Sequence, residues 1–266
     1  MAVRALAIDL DGTLFGLDGH VSDRNRAAVR AAVDAGLHVV LATARWFQLA
    51  ERTATDLGLT DPVIACSGAE VRRLTDGVDL MDVRLPAAFT EAVYALCDAT
   101  GAIVWVAEEE RVLFRMEGDP PPGLGDELVK VDALSGEAAA RPRMVMIYGP
   151  DTNAQIVEEL APRWQGEVRF PMSVIGNHGA TVLTLTGHGA DKGLALRVAC
   201  TELGIDVADT VAFGDSETDI EMFRVAGTSV AMGQAADDVK SAATSVTATN
   251  AEDGVALAIE DLLDGR

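Results

Sequence analysis

The chain has 266 residues, and its 42 acidic side chains outnumber 21 basic ones, for a formal net charge of −21 at pH 7. Because surfaces that bind nucleic acid or anionic lipid are rich in Lys and Arg, this balance argues against both kinds of partner. Apolar residues make up 49% of the chain, which excludes a disordered polypeptide. At about 150 residues per domain, the length fits two modest domains or one domain with a large insertion.

The first part of the chain alternates short apolar runs with helix-like segments. The run at 5–8 predicts a buried parallel strand. Ser22 can cap a first helix that ends near Gly36. The following segments predict a strand at 39–42, a helix at 46–57 and a strand at 62–66. This β-α-β-α-β order predicts a parallel sheet covered by helices on both faces.

The middle of the chain has a different pattern. Two strand-like pieces flank the 75–77 turn, which predicts a hairpin, and the Pro-rich stretch 120–125 must be loop. Short apolar runs predict further strands at 103–106, 112–115, 143–148, 167–170 and 181–186, with helices at 86–99 and 152–163. We expect an α+β domain with an antiparallel sheet here.

The α/β alternation resumes near Asp191. The pattern predicts a helix from there to Leu203, a strand at 210–213, a helix at 218–225, a strand at 229–231 and a last helix at 252–263. The α/β core is therefore predicted to be split, with the middle segment inserted into it.

The remaining composition favours a soluble protein without a zinc site or disulfides. The three cysteines show no metal spacing, and buried thiols are the simplest interpretation. The N-terminal apolar stretch is interrupted by Asp9, and no apolar run approaches the roughly 18 residues of a membrane helix. We expect a cytoplasmic monomer or homodimer.

The strongest motif is the segment 9–14, Asp-Leu-Asp-Gly-Thr-Leu, directly after the first strand. In an extended segment residues i and i+2 point the same way, so Asp9 and Asp11 are predicted to project together from the carboxyl end of the strand. Gly12 supplies the turn needed there. Two adjacent carboxylates repel each other unless a cation or a proton intervenes, which predicts a hard divalent cation, Mg²⁺.

Three further motifs lie at strand ends or helix starts. Asp215 and Asp219 follow the predicted strand 210–213, and Asp219 could instead cap a helix. Thr43 follows the second strand, where a hydroxyl and backbone N–H groups suit a phosphate oxygen. Lys192 lies in the first turn of a helix, where a cation is unfavourable unless an anion binds nearby.

Together these segments resemble the motifs of the haloacid dehalogenase-like superfamily of phosphohydrolases. The run 9–14 resembles the first motif, Thr43 the second and Lys192 the third. Asp215 and Asp219 resemble the fourth, and the resemblance covers the whole chain in the right order. The tail also fits, because 230–233, Ala235 and 250–255 resemble the C-terminal region of the Cof-type branch.

The resemblance implies a doubly wound, mostly parallel α/β core of Rossmann type with an inserted α+β cap. Asp9 and Thr43 are too close in sequence for a cap between them, whereas the stretch from Thr43 to Lys192 is far longer than one βαβ unit needs. The expected division is a core at 1–82, a cap at 83–189 and a second core segment at 190–266.

The implied activity is Mg²⁺-dependent hydrolysis of small phosphomonoesters, such as sugar phosphates, through an aspartyl-phosphate. Asp9 is implied as the nucleophile and Asp11 as the general acid and base. The implied metal ligands are Asp9, Asp11 through its backbone carbonyl, Asp215 and Asp219, the last of which could instead orient metal-bound water. Thr218 would lie beside the metal shell. The implied substrate contacts are Thr43, Ala44, Arg45, Ser67, Gly68 and Lys192.

Three positions depart from the Cof-type pattern. Ala44 replaces the usual Gly, and Ser67 and Thr218 each replace an Asn, with loss of the amide's paired donor and acceptor. Two alternatives stay open: a phosphotransferase or phosphomutase of the same superfamily, and a non-catalytic receiver-like module. The cap is expected to select the substrate, and His178 is either a lid residue or an ordinary loop histidine.

Overall fold

The computed structural model describes residues 3–120, 124–137, 141–175 and 180–265. His178 and part of the predicted 120–125 loop lie outside this description. The chain forms two compact units, one made of the residues up to Met81 together with those from Asp191 onward, the other of Asp82–Ala190. We refer to them as the first and second units.

Strands and helices alternate along most of the first unit, whereas in the second unit several strands follow one another before each helix or after it. In chain order the strands are β1 Ala5–Ile8, β2 His38–Leu41, β3 Val63–Ala65, β4 Glu70–Arg72, β5 Asp79–Asp82, β6 Ile103–Ala107, β7 Val112–Arg115, β8 Leu128–Lys130, β9 Met144–Tyr148, β10 Val168–Arg169, β11 Met172–Ile175, β12 Ala180–Gly187, β13 Thr210–Gly214, β14 Thr228–Ala231 and β15 Ser245–Val246. The helices are α1 Asp23–Asp34, α2 Phe47–Leu57, α3 Ala87–Thr100, α4 Pro150–Trp164, α5 Lys192–Leu203, α6 Ile220–Phe223, α7 Asp237–Ala242 and α8 Gly254–Leu263.

The first unit is built on a parallel sheet with the strand order β15-β14-β13-β1-β2. Ile8 at the end of β1 is in register with Leu41 of β2 and with Phe213 of β13. The carboxyl ends of these three strands therefore lie side by side, and the chain leaves them at adjacent points. The sheet is parallel, and helices alternate with its strands along the chain, which confirms the predicted α/β class.

The predicted third strand forms a separate sheet with the hairpin that follows it, in the order β3-β4-β5. It meets the main sheet at an isolated parallel bridge between Ala42 and Ile64. The Thr43 N–H donates to the Ile64 carbonyl at 2.9 Å, so β3 still fixes the backbone that leaves β2.

The second unit is a sheet with two helices. Its order is β10-β12-β9-β6-β7-β8, with β11 on β12. The pairs are antiparallel apart from β7 with β8, which are parallel. Alternate strand residues such as Val104 and Ile147 form one apolar cluster with Phe89 of α3 and Ile156 of α4. Phe89 also packs edge to face with Trp164.

Several short elements were not predicted, namely β8, β11, β15 and α7. The predicted helix 218–225 is shorter, with a 3₁₀ turn at Glu217–Asp219 before α6. Such segments have too few residues for a hydrophobic period to be visible. Within the described ranges, no helix combines the length and apolar character needed to cross a membrane.

Candidate active site

The nucleophile candidate lies at the exit of β1. Asp9 directly follows the strand, and the chain then makes one wide turn over Leu10–Leu14, with the Phe15 N–H donating to the Leu10 carbonyl at 2.8 Å. Gly12 has a φ of +79°, which favours glycine. A Cβ on Gly12 would lie 2.2 Å from a carboxylate oxygen of Asp215, so the turn packs directly against the end of β13.

A buried ammonium joins two of the predicted site carboxylates. The Nζ of Lys192 donates to Asp9 Oδ1 at 2.8 Å and to Asp219 Oδ1 at 2.7 Å. All three residues are buried, with at most 4% of their surface exposed. Although burial opposes it, the Coulombic attraction of Asp219 and Asp9 raises the pKa of Lys192, which keeps this amine protonated.

Asp219 fastens the loop that follows β13. Its Oδ2 accepts hydrogen bonds from the backbone N–H groups of Asp215 and Ser216, at 3.1 and 3.0 Å, and from the Ser216 hydroxyl at 2.8 Å. Its Oδ1 is held by Lys192. Both oxygens of Asp219 are therefore already satisfied, and the residue also closes a capping box at the start of the 3₁₀ turn.

Three carboxylates converge at this point. Asp9, Asp215 and Asp219 each offer an oxygen, and these oxygens lie within 4.8 Å of one another. Burial raises the pKa of Asp9 well above its usual range, Asp219 and Asp215 raise it further and Lys192 lowers it. Burial also raises the pKa of Asp215 to about 6, with a further contribution from Asp219. One ammonium among three carboxylates leaves a negative excess, and hard oxygen donors of this kind fit Mg²⁺.

Asp11 lies outside this cluster. It belongs to the Leu10–Leu14 turn rather than to β1. Its carboxylate is 49% exposed and forms a two-pronged ion pair with the guanidinium of Arg45, whose Nε lies 2.6 Å from Oδ2. Arg45 also lies over the ring of Phe15, with its Cζ 5.4 Å from the ring centroid.

The backbone after β2 and β3 is tightly connected. The fully buried Thr43 hydroxyl accepts from the Arg45 N–H at 3.1 Å, and the Ser67 N–H donates to the Thr43 carbonyl at 3.1 Å. Gly68 lies against the start of α5, because a Cβ there would be 2.6 Å from the Lys192 backbone nitrogen. These contacts place 43–45, 67–68 and Lys192 in one neighbourhood.

The other two predicted residues are peripheral to these contacts. Ala44 is half-buried and offers no polar side-chain atom. The Thr218 hydroxyl shares a 2.9 Å hydrogen bond with the Ser216 hydroxyl, which in turn bonds Asp219. Thr218 therefore reaches the carboxylate cluster only through Ser216.

Sequence reasoning missed two supporting contacts. The Thr13 hydroxyl donates to Asp215 Oδ1 at 3.4 Å, and a Glu221 carboxylate oxygen accepts from the Lys192 N–H at 2.9 Å. Thr13 belongs to the first motif, so the sequence pattern included this residue but did not predict its contact with Asp215. Glu221 follows Asp219 by two residues in a short polar segment and carried no signal of its own.

Known proteins of one family match the chain over most of its length. A sequence model of haloacid dehalogenase-like hydrolases matches residues 6–259. A 5-amino-6-(5-phospho-D-ribitylamino)uracil phosphatase of Bacillus subtilis (strain 168) is 30% identical, over 97% of this chain and 94% of the relative. The phosphatase YwpJ of the same organism is 27% identical, over 98% of this chain and 100% of the relative. The crystal structure of a haloacid dehalogenase-like hydrolase from Bacteroides thetaiotaomicron superposes with a TM-score of 0.83 at 25% sequence identity. The match covers 98% of this chain and 99% of that chain.

The family resemblance of the four motifs is thus confirmed by a match that spans nearly the whole chain. The two curated relatives described above, which align from end to end, are phosphatases. The chain belongs to the haloacid dehalogenase-like hydrolase family and is an enzyme of the phosphatase type.

Proposed function

We propose that the protein is a Mg²⁺-dependent hydrolase of small phosphomonoesters that works through an aspartyl-phosphate. The observation that carries this proposal is the Lys192 ammonium held between Asp9 and Asp219, with Asp215 completing the cluster. A nucleophilic carboxylate beside a fixed cation suits phosphoryl transfer, in which positioning and charge stabilisation dominate.

The first step would be attack of an Asp9 oxygen on phosphorus. A bond forms between that oxygen and phosphorus while the phosphorus–oxygen bond to the leaving alcohol breaks, and Asp11 gives its proton to the departing oxygen. In the second step a water attacks phosphorus, Asp11 takes a proton from it, and the bond to Asp9 breaks. Inorganic phosphate and the free Asp9 carboxylate result.

The exposure of the two acids fits these roles. Asp9 is buried and fixed by Lys192, as a group that must approach phosphorus from one direction should be. Asp11 is half exposed, so it can exchange protons with solvent between the steps. The Arg45 guanidinium, which pairs with Asp11, would bind the phosphate or the leaving group by moving from Asp11 to the substrate.

Asp9 and Asp215 would be the main ligands of Mg²⁺, because Asp219 Oδ2 already accepts three hydrogen bonds and its Oδ1 accepts one from Lys192. Mg²⁺ bound there would neutralise charge on the phosphoryl group. Asp219 would keep the Asp215 loop and Lys192 in place. Lys192 would hold a phosphoryl oxygen. In the 43–45 segment the Ala44 N–H would be the backbone donor, because the Thr43 and Arg45 N–H groups already donate within the protein.

The substrate class rests on the relatives and on the acidic surface. One relative is named for its action on 5-amino-6-(5-phospho-D-ribitylamino)uracil, so this compound heads the candidate substrates together with sugar phosphates. A net charge of −21 repels large polyanions, which favours small phosphorylated metabolites.

The test is phosphate release from a panel of small phosphomonoesters, with and without Mg²⁺, by wild type and by Asp9→Asn in parallel. We expect Mg²⁺-dependent release that falls roughly 10³-fold or more in the variant. Release at the wild-type rate by Asp9→Asn would refute the mechanism. Consumption of ester without free phosphate, in the presence of a sugar acceptor, would identify a phosphotransferase instead.

A further inference from the structure

The C-terminal segment with the Cof-type pattern places one side chain on the catalytic turn, and the proposed mechanism does not use it. The side-chain amide of Gln234 donates from Nε2 to the carbonyl of Gly12. Its Oε1 accepts the backbone N–H of Asn250 at 3.1 Å. Gln234 thus bridges the turn after β1 and the loop before α8.

The backbone that presents Gln234 is firmly fixed. The Met232 N–H donates to the Gly214 carbonyl at 3.0 Å, and the Gly233 N–H donates to the Ala248 carbonyl at 3.0 Å. A Cβ on Gly233 would lie 2.9 Å from backbone atoms of the 247–249 segment, so the two loops are in direct contact. The position of the Gln234 Cα is therefore set by β13 and by the C-terminal loop together.

The amide of Gln234 holds a residue that packs against the metal-ligand candidate after β13. Gly12, whose carbonyl Gln234 holds, packs directly against the Asp215 carboxylate. Both polar ends of Gln234 are thus used, and its donor end is used at the boundary between the Asp9 turn and Asp215.

We propose that Gln234 is a positioning residue that holds the Leu10–Leu14 turn and the Asp215 carboxylate at the separation a divalent cation requires. This rests on the proposed function of the site. Gln234 is itself exposed, so its loss removes little buried surface and costs the fold little. Its loss should instead change the positions of the Leu10–Leu14 turn and of the Asp215 carboxylate, which would both face the cation. Residues that orient metal ligands in other proteins act in the same way.

The test replaces Gln234 by Met, which has a similar length but no amide. Gln155 is the matched control, because it is a Gln whose exposed side chain donates to Glu159 in the second unit. Binding of Mn²⁺ to each full-length protein without substrate is measured by electron paramagnetic resonance. We expect Gln234→Met to weaken Mn²⁺ binding about tenfold and Gln155→Met to leave it unchanged.

Two further measurements separate positioning from general structural damage. The urea midpoint of Gln234→Met should equal that of wild type. The Mg²⁺ concentration for half-maximal phosphate release should rise about tenfold, while the KM for the ester at saturating Mg²⁺ stays the same. Gln234→Ala, which adds no bulk, should give the same pattern.

The inference and the proposed function fail in different ways. Wild-type Mn²⁺ affinity in both Gln234 variants overturns the inference, even when phosphate release by wild type supports the proposed function. Weakened Mn²⁺ binding in both variants supports the inference, even when wild type releases no phosphate from any ester. Absence of Mn²⁺ binding by wild type overturns the inference together with the metal site.

Discussion

The guanidinium of Arg45 donates two hydrogen bonds to the carboxylate of Asp11, one to each oxygen. Arg45 lies two residues before the start of α2. The general-acid candidate is therefore held by a cation before substrate arrives. Two-pronged pairs of this kind are directional and stronger than single hydrogen bonds. Substrate binding would change the partner of Arg45, of Asp11, or of both.

Replacing Arg45 by Gln removes the cation while keeping a polar side chain. We expect kcat/KM for phosphomonoesters to fall roughly 10- to 100-fold, since a hydrogen bond to a charged group contributes about 1.5 to 3 kcal/mol. Steady-state kinetics at saturating Mg²⁺ measure this. Arg24 is the control, because its exposed two-pronged pair with Glu260 lies on α1 and α8. Equal kcat/KM in Arg45→Gln and Arg24→Gln would mean that Arg45 is only a surface cation.

Gly12→Ala tests the contact between the catalytic turn and β13. The new Cβ would start 2.2 Å from Asp215 Oδ2, so the carboxylate must move. We expect loss of Mg²⁺-dependent phosphate release. Gly19→Ala is the matched control, since Gly19 has a similar φ of +76° and no atom lies within 4 Å of the position that its Cβ would take. It bears only the backbone cost of about 1 kcal/mol and should keep its activity.

Asp215 gives the metal-free protein a specific pH dependence. Its pKa is about 6 when folded against 3.8 in the reference state, so between these values the folded chain binds more protons than the unfolded chain. Through this group, stability rises as the pH falls from about 6 to 3.8 and is lowest above pH 6.

Asp215→Asn should therefore stabilise the metal-free protein at pH 7, by on the order of 3 kcal/mol. The gain should shrink as the pH falls towards the reference value of 3.8. Urea denaturation in the presence of a chelator measures both. Added Mg²⁺ should stabilise wild type more than the variant, because the cation favours the ionised carboxylate. A variant that is less stable than wild type at pH 7 without metal would contradict the raised pKa of Asp215 in the folded protein.

The sequence identified the parallel core and the motif residues because both depend on local pattern. β1 and β13 are continuous apolar runs, and Asp9 and Asp215 follow them directly. What local pattern could not show was the direction of each side chain. Asp11 lies in the Leu10–Leu14 turn and pairs with Arg45, and Gln234 reaches Gly12 only through the packing of loops far apart in sequence.

A buried cation pairs with Asp82, the first residue of the second unit. The side chain of Arg143 is fully buried, and its Nε donates to Asp82 Oδ1 at 2.8 Å. Arg84 donates to the other oxygen of Asp82 at 2.8 Å but is partly exposed. Burial raises the pKa of Asp82, yet the hydrogen bonds and charges of Arg84 and Arg143 hold it below its usual value, so the pair is ionised at neutral pH.

Arg143→Ala should therefore destabilise the second unit by about 3 kcal/mol, because it removes a buried partner and leaves a cavity. Arg84→Ala, which removes the exposed partner of the same carboxylate, should cost less than about 1 kcal/mol. Hydrogen exchange of the β6 and β9 amides locates the loss within this unit. Equal protection in the two variants would show that the buried Arg143 side chain stabilises this unit no more than the partly exposed Arg84.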